Sequence, residues 1–213
     1  MNDKVVESHK FCMSTIDGSI APVLDADEAR HLSKYFAPGM KIGNRYLLAS
    51  CIGQGGMGQV FLARDERLGR LVAIKIVASQ RIRDEQLFYE QMLAREARLG
   101  AHLNHPGIAT VHDFGFHGER AYTVFEFVDG LNLRTLLMEH GPCDLEKARD
   151  VMTDLARALD FAHGQGIVHR DLKPENICQA KTGDYKILDL GIARDFSNET
   201  ERPDFAGTPA YCS

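Results

Sequence analysis

From Tyr46 onward the apolar residues come in short runs, 46–52, 60–63 and 71–77, separated by glycine-bearing or charged turns. That pattern predicts a small antiparallel sheet. Residues 84–103 mix charged and apolar positions at helical length, and two further strand-like runs follow at 108–116 and 121–128, joined by the turn His117-Gly118-Glu119-Arg120. After Gly130 the spacing becomes helical. Leu145, Ala148, Val151, Leu155, Ala158, Leu159 and Ala162 form one apolar stripe, with Asp144 as N-cap and Gly164 as stop. A hairpin comes next, residues 177–179 and 185–188 around Gly183-Asp184, and it brings Asn176 and Asp189 toward one place.

Ahead of Tyr46, only Ala26, Ala29, Leu32 and Tyr35 or Phe36 recur at helical spacing. Residues 1–39 therefore read as a flexible polar extension carrying one short amphipathic helix. Residues 40–128 read as one lobe of five strands and a helix, and residues 129–213 as a mainly helical second part. The class is α+β.

Composition narrows the partners. The chain has 213 residues, 44% hydrophobic and 26% charged, which is the makeup of a soluble globular protein with a substantial core. A net charge of −5 without a Lys/Arg cluster gives no footprint for nucleic acid. Five cysteines, odd in number and without a Cys-x-x-Cys pair, suggest neither a disulfide framework nor a zinc site, so a reducing cytoplasm fits. The first thirty residues lack a continuous apolar stretch for a signal peptide, and no run approaches the roughly 20 residues that cross a bilayer.

Three motifs carry chemistry. Gly53-Gln54-Gly55-Gly56-Met57-Gly58-Gln59-Val60 fits G-x-G-x-x-G-x-V, in which glycines let backbone N–H groups approach phosphates closely. Taken alone it reads more readily as a glycine-rich hairpin turn, and its place between two strands argues against dinucleotide-binding and Walker loops. Val72-Ala73-Ile74-Lys75 puts a lysine on an apolar strand, either snorkelling from an edge or holding phosphates. His169-Arg170-Asp171-Leu172-Lys173-Pro174-Glu175-Asn176, with Asp189-Leu190-Gly191 after it, gathers two carboxylates, a lysine and an asparagine suited to a nucleoside triphosphate and its magnesium.

Together these motifs resemble the eukaryotic-type, bacterial-style serine/threonine protein kinases, over approximately residues 40–213. Gly-Gly-Met-Gly in the loop, Asp-Leu-Gly and Gly207-Thr208-Pro209-Ala210-Tyr211 all lean that way. The resemblance implies a bilobal protein-kinase-like fold. It implies that Gly53, Gly55, Gly58, Val60, Ala73 and Lys75 bind ATP, with the backbone of Glu126 to Val128 meeting adenine and Phe125 as gatekeeper. Lys75 would pair with Glu96 on the helix, Glu85 and Glu90 being the competing candidates. Asp171 would take or orient the proton of the attacking hydroxyl and Lys173 would neutralise the transferred phosphoryl group. Asn176 and Asp189 would hold Mg²⁺, with Mn²⁺ as the alternative ion. Lys173 favours Ser/Thr hydroxyls of a protein substrate, Thr208 would help select them, and His169 would be a packed structural histidine.

Departures from the family pattern accompany the likeness. The pattern continues past Tyr211 with further helices, so the sequence reads as a catalytic region truncated after the activation segment, with lowered activity and an under-covered α-helix at 145–162. A longer parent could carry a membrane anchor. Gly100, four positions after Glu96, stands where the family has a bulky apolar residue against Leu190, and a mid-helix glycine costs roughly 1 kcal/mol relative to alanine. The rival readings are a non-catalytic nucleotide-binding interaction module and a small-molecule kinase.

Arg170 beside Asp171 suggests control by phosphorylation of the following loop, where Thr200 and Ser197 are the hydroxyl residues between Gly191 and Phe205. Incubation with Mg·ATP is expected to place phosphate on Thr200 first and on Ser197 second. Mass spectrometry that finds phosphate only elsewhere contradicts this.

Overall fold

The computed structural model describes residues 36–55, 58–77, 94, 97–98, 100–118, 120–169, 171–188 and 194–195. The helix expected within 1–39, and the calls on Glu96, Asp189, Leu190, Ser197, Thr200 and Thr208, lie outside them. A six-stranded antiparallel sheet comes first: β1 (Lys41–Ile42), β2 (Tyr46–Gly55), β3 (Gly58–Asp65), β4 (Arg70–Val77), β5 (Val111–His117) and β6 (Arg120–Glu126), in the order β1-β2-β3-β4-β6-β5. The five strands expected from the sequence are present, and β1 adds a two-residue edge through Lys41↔Leu47 and Ile42↔Tyr46. Residues 97–98 and 100–102 are helical, as the 84–103 pattern predicts for that stretch.

Alternation along β4 decides the core. Val72, Ile74 and Ile76 face one side, where they pack with Phe61, Ala63, Tyr46, Leu48, Tyr122 and Val124. Register breaks between Leu48 and Ser50 and between Cys51 and Gly53 bulge β2 where it approaches the glycine loop. Bulges increase local twist, so that end of the sheet curls.

The second part is built on β7 (Gly130–Asn132), α1 (Leu133–His140), α2 (Leu145–Gly164), β8 (Ile167–Val168), β9 (Ile177–Ala180), β10 (Tyr185–Ile187) and β11 (Arg194–Asp195). Asp144 caps α2 as expected, its Oδ1 accepting the Lys147 N–H at 2.8 Å. The helix ends at Gly164, the expected stop, and the chain turns away at Gly166 with φ of +75°. Val151, Leu155, Ala158 and Ala162 pack against Leu103, Ile108, Ile177, Tyr185 and Ile187. Leu145, expected on that buried stripe, is 87% exposed. It opens the first turn, before the helix has met its neighbours.

Ile187 is one of the residues that stitch the two parts together. Ile187 donates its N–H to Gly107 O at 2.9 Å and accepts the Ala109 N–H at 2.8 Å. A polar network braces the sheet from the other side. Arg45 grips Asp65 through Nε at 2.9 Å and Nη2 at 2.7 Å, and reaches Asp113, which also accepts the Tyr46 hydroxyl at 2.6 Å.

Gly130 sits so close to β9 that a Cβ would lie 2.0 Å from Gln179 O, whereas Gly164 has nothing within 4 Å. Gly130→Ala is therefore expected to destabilise the chain by about 1–3 kcal/mol, and Gly164→Ala to stabilise it by about 0.5–1 kcal/mol. Urea unfolding of the two variants checks both signs. The Arg45 guanidinium hydrogen-bonded to Asp65 holds that carboxyl below the usual range in spite of burial. Its contribution is complete above the unfolded carboxyl range and is lost as pH falls through the depressed folded value. Between pH 5 and 2 the melting temperature should fall further in the native chain than in Asp65→Asn.

Candidate active site

The sheet face opposite the core carries the nucleotide candidates. Register aligns Gly53 with Val60, Val60 with Lys75, Lys75 with Thr123 and Ala73 with Phe125. Alternation then sets Val60, Ala73, Lys75 and Phe125 on one surface. Lys75 is only 7% exposed there. Burying an ammonium is costly unless it meets an anion, so this lysine sits where a carboxylate or a phosphate is electrostatically required. Gly55 pairs with Gly58 to close the hairpin, and Gly58 has φ of +142°, a conformation that glycine supplies and a side chain resists.

The second cluster forms between β8 and β9. Asn176 closes a single 3-10 turn, Pro174–Asn176, and its N–H bonds to Lys173 O at 2.9 Å. Its side-chain amide donates to the Asp171 carbonyl at 2.9 Å and to Asp171 Oδ2 at 3.3 Å. Lys173 Nζ stands 2.8 Å from the same Oδ2, with its side chain 5% exposed against 21% for Asp171. The carboxylate thus meets two donors from its inner side while keeping access to solvent. His169 Nδ1 accepts the Asp171 N–H at 3.2 Å, which fixes the imidazole proton on Nε2. His169 is buried, and through this bond it helps to shape the loop.

Between these clusters, Ala109, Val128, Cys178 and Leu188 make a small buried apolar group. Glu126 turns its side chain away to Lys186 at 2.5 Å and to the Thr110 N–H at 3.2 Å. Its own N–H bonds to Thr110 O at 2.8 Å. Asp129 binds Lys181 at 2.9 Å, fastening the 127–129 connection onto the β9–β10 hairpin. Leu188 donates its N–H to Asn176 O at 2.9 Å, so the residue just before Asp189 is tied to the Asp171 loop.

Residues 46–213 match the family described as Protein kinase domain. The chain belongs to the protein kinase domain family. It is 44% identical over 180 residues to the serine/threonine-protein kinase PknA of Mycobacterium tuberculosis (strain ATCC 25618 / H37Rv), covering 81% of this chain and 41% of that protein. It is 40% identical over 179 residues to the serine/threonine-protein kinase PknB of Mycobacterium leprae (strain TN), covering 81% of this chain and 28% of that one. The chain thus spans less than half the length of these relatives.

Within this protein kinase domain, Asp171, Lys173 and Asn176 are brought together. Gly53, Val60, Ala73 and Lys75 share one strand surface, and Val128 lies in the apolar group between the two clusters. Glu96 and Asp189 fall outside the described residues, as do Gly56 and Met57 of the glycine loop. Sequence reasoning missed the Glu126–Lys186 pair and the Arg45–Asp65–Asp113 network. Neither has a local signal, because each joins residues far apart in the chain.

Proposed function

We propose that this kinase domain transfers the γ-phosphoryl group of ATP to serine or threonine hydroxyls of a protein. The observation that carries the reading is the clasp on Asp171: Asn176 and Lys173 meet one carboxylate oxygen at 3.3 and 2.8 Å. In the proposed reaction the substrate hydroxyl oxygen attacks the γ-phosphorus, its proton passes to the Asp171 carboxylate, and the bond to the ADP oxygen breaks. Phosphoryl transfer asks the protein mainly for positioning and charge neutralisation, so a fixed carboxylate with a buried lysine beside it is the right equipment.

The residues present fit a divalent cation. Asn176 spends its amide N–H on Asp171, which leaves its Oδ1 lone pairs for a hard metal. Asp189, following Leu188, is the proposed partner ligand, and Mg²⁺ is the proposed ion. Bound there, the cation would neutralise phosphate charge. Lys75 would hold the α- and β-phosphates with Glu96 as its orienting partner, and Gly53, Gly55 and Gly58 would bring backbone N–H groups to them. Val60 and Ala73 would cover adenine, which the backbone of Glu126 and Val128 would meet. We place the lobe boundary between residues 128 and 129. Among the described residues no helix is long and apolar enough to cross a membrane.

Labelled γ-phosphate transfer from Mg·ATP to the chain itself and to a generic basic protein tests the reading. Asp171→Asn is expected to lower transfer by about 10²–10⁴-fold. Equal labelling by the native chain and Asp171→Asn would refute the role of Asp171. Turnover of a metabolite with no protein labelled would move the assignment to a small-molecule kinase.

A further inference from the structure

A cavity of about 550 Å³ opens beside the segment that links β6 to β7. Arg70 at the start of β4, Asn104 and His105 ahead of β5, His112 in β5, Glu126 and Lys186 line it. Lys75, Asp171, Lys173 and Asn176 do not.

The hydrogen-bond accounting of this cavity is one-sided. Its carboxylate, Glu126, is already engaged by Lys186 and by the Thr110 N–H. His105 accepts the Gly107 N–H at its Nδ1 at 3.0 Å, so its proton is on Nε2 and that edge is a donor. The ring is held in place by stacking on Phe161, 5.2 Å between centroids. Arg70 is the decisive group. Its nearest carboxylate, Asp65, stands 3.8 Å from Nε, beyond a hydrogen bond. Asp65 is already used by Arg45 Nε and Nη2 and by the N–H groups of Arg67 and Leu68. The Arg70 Nε is buried without a hydrogen-bond partner. The buried Nε lies toward Asp65, whereas the side chain as a whole is 39% exposed, so its terminal N–H groups are the ones that an oxyanion in the cavity would meet. Its charge is felt across the cavity: burial first, and Arg70 second, hold the His112 imidazole below its ordinary value.

We propose that this cavity is a binding site for a small oxyanion, a phosphate or carboxylate group, with Arg70 as its charge partner and the His105 Nε2–H and the Asn104 amide as neutral donors. Two cations against one already paired carboxylate leave the lining with an excess of positive charge, and Leu71, Pro106 and Phe127 give it an apolar wall for the rest of such a ligand. Nothing in this proposal depends on phosphoryl transfer at Asp171.

The experiment is an NMR titration of the full chain, following the imidazole signals of His105 and His112 at fixed pH and ionic strength. Inorganic phosphate and succinate are added separately, with chloride as the reference. Saturable shifts from either anion support the site, and the one that gives them fixes the class of the group. The shifts should persist in Lys75→Met, which separates this cavity from phosphate held in the nucleotide cleft. Arg70→Gln is expected to weaken binding at least about tenfold, the loss of a charged hydrogen bond. Asn104→Ala leaves the Arg70–Asp65 approach intact and should weaken binding at least about threefold. Shifts no larger than those from chloride, or binding unchanged in both variants, would overturn the proposal.

Discussion

Everything near the candidate active site hangs on one backbone junction, the pair of hydrogen bonds that Ile187 makes with Gly107 and Ala109. Both polar groups of a single buried residue are spent on a segment that leads directly into β5 of the sheet. The strand that ends at Ile187 therefore cannot shift without breaking bonds that have no solvent to replace them. The next residue, Leu188, holds Asn176 by its carbonyl, and Asn176 in turn holds Asp171. A chain of four contacts thus fixes the proposed base relative to the sheet that carries Lys75. No step in that chain relies on a long, freely rotating side chain.

Carboxylates do most of the remaining tethering, each meeting several donors. Asp65 takes a bidentate arginine and two backbone N–H groups, Asp113 takes an arginine and a tyrosine, and Glu126 takes a lysine and a backbone N–H. Several donors on one carboxylate restrict its orientation, most tightly at the fully buried Asp65, where every alternative leaves a donor or acceptor unmet. Asp65 ties the turn before β2 to the end of β3, Asp113 ties β2 to β5, and Glu126 ties β6 to β10.

Much of this was legible in the sequence, and the reasons for the gaps are physical. Alternation in Leu71-Val72-Ala73-Ile74-Lys75-Ile76 separates core from cleft without knowledge of the fold, and Asp144 marks its helix start because a cap bond is local. The short elements β1 and β7 carry no such signal. Two or three residues become strand only when a partner strand arrives, Leu47 and Tyr46 for β1 and Cys178 to Ala180 for β7. The helix α1 could have been found from Asn132, whose Oδ1 caps the Thr135 N–H at 2.7 Å. Gly166, with its left-handed backbone, turns the chain away just past the end of α2 at Gly164.

The order of strands also bears on how the chain comes to be folded during synthesis. Every pairing in the six-stranded sheet is made by residues at or before Glu126. The sheet can therefore be complete while the rest of the chain is still emerging, since domains commonly form from the N-terminal side as synthesis proceeds. Helix α2 then meets Leu103 and Ile108 on a preformed platform rather than in a collapsing coil. The hairpin of β9 and β10 is made after α2, and its final residue joins the two halves.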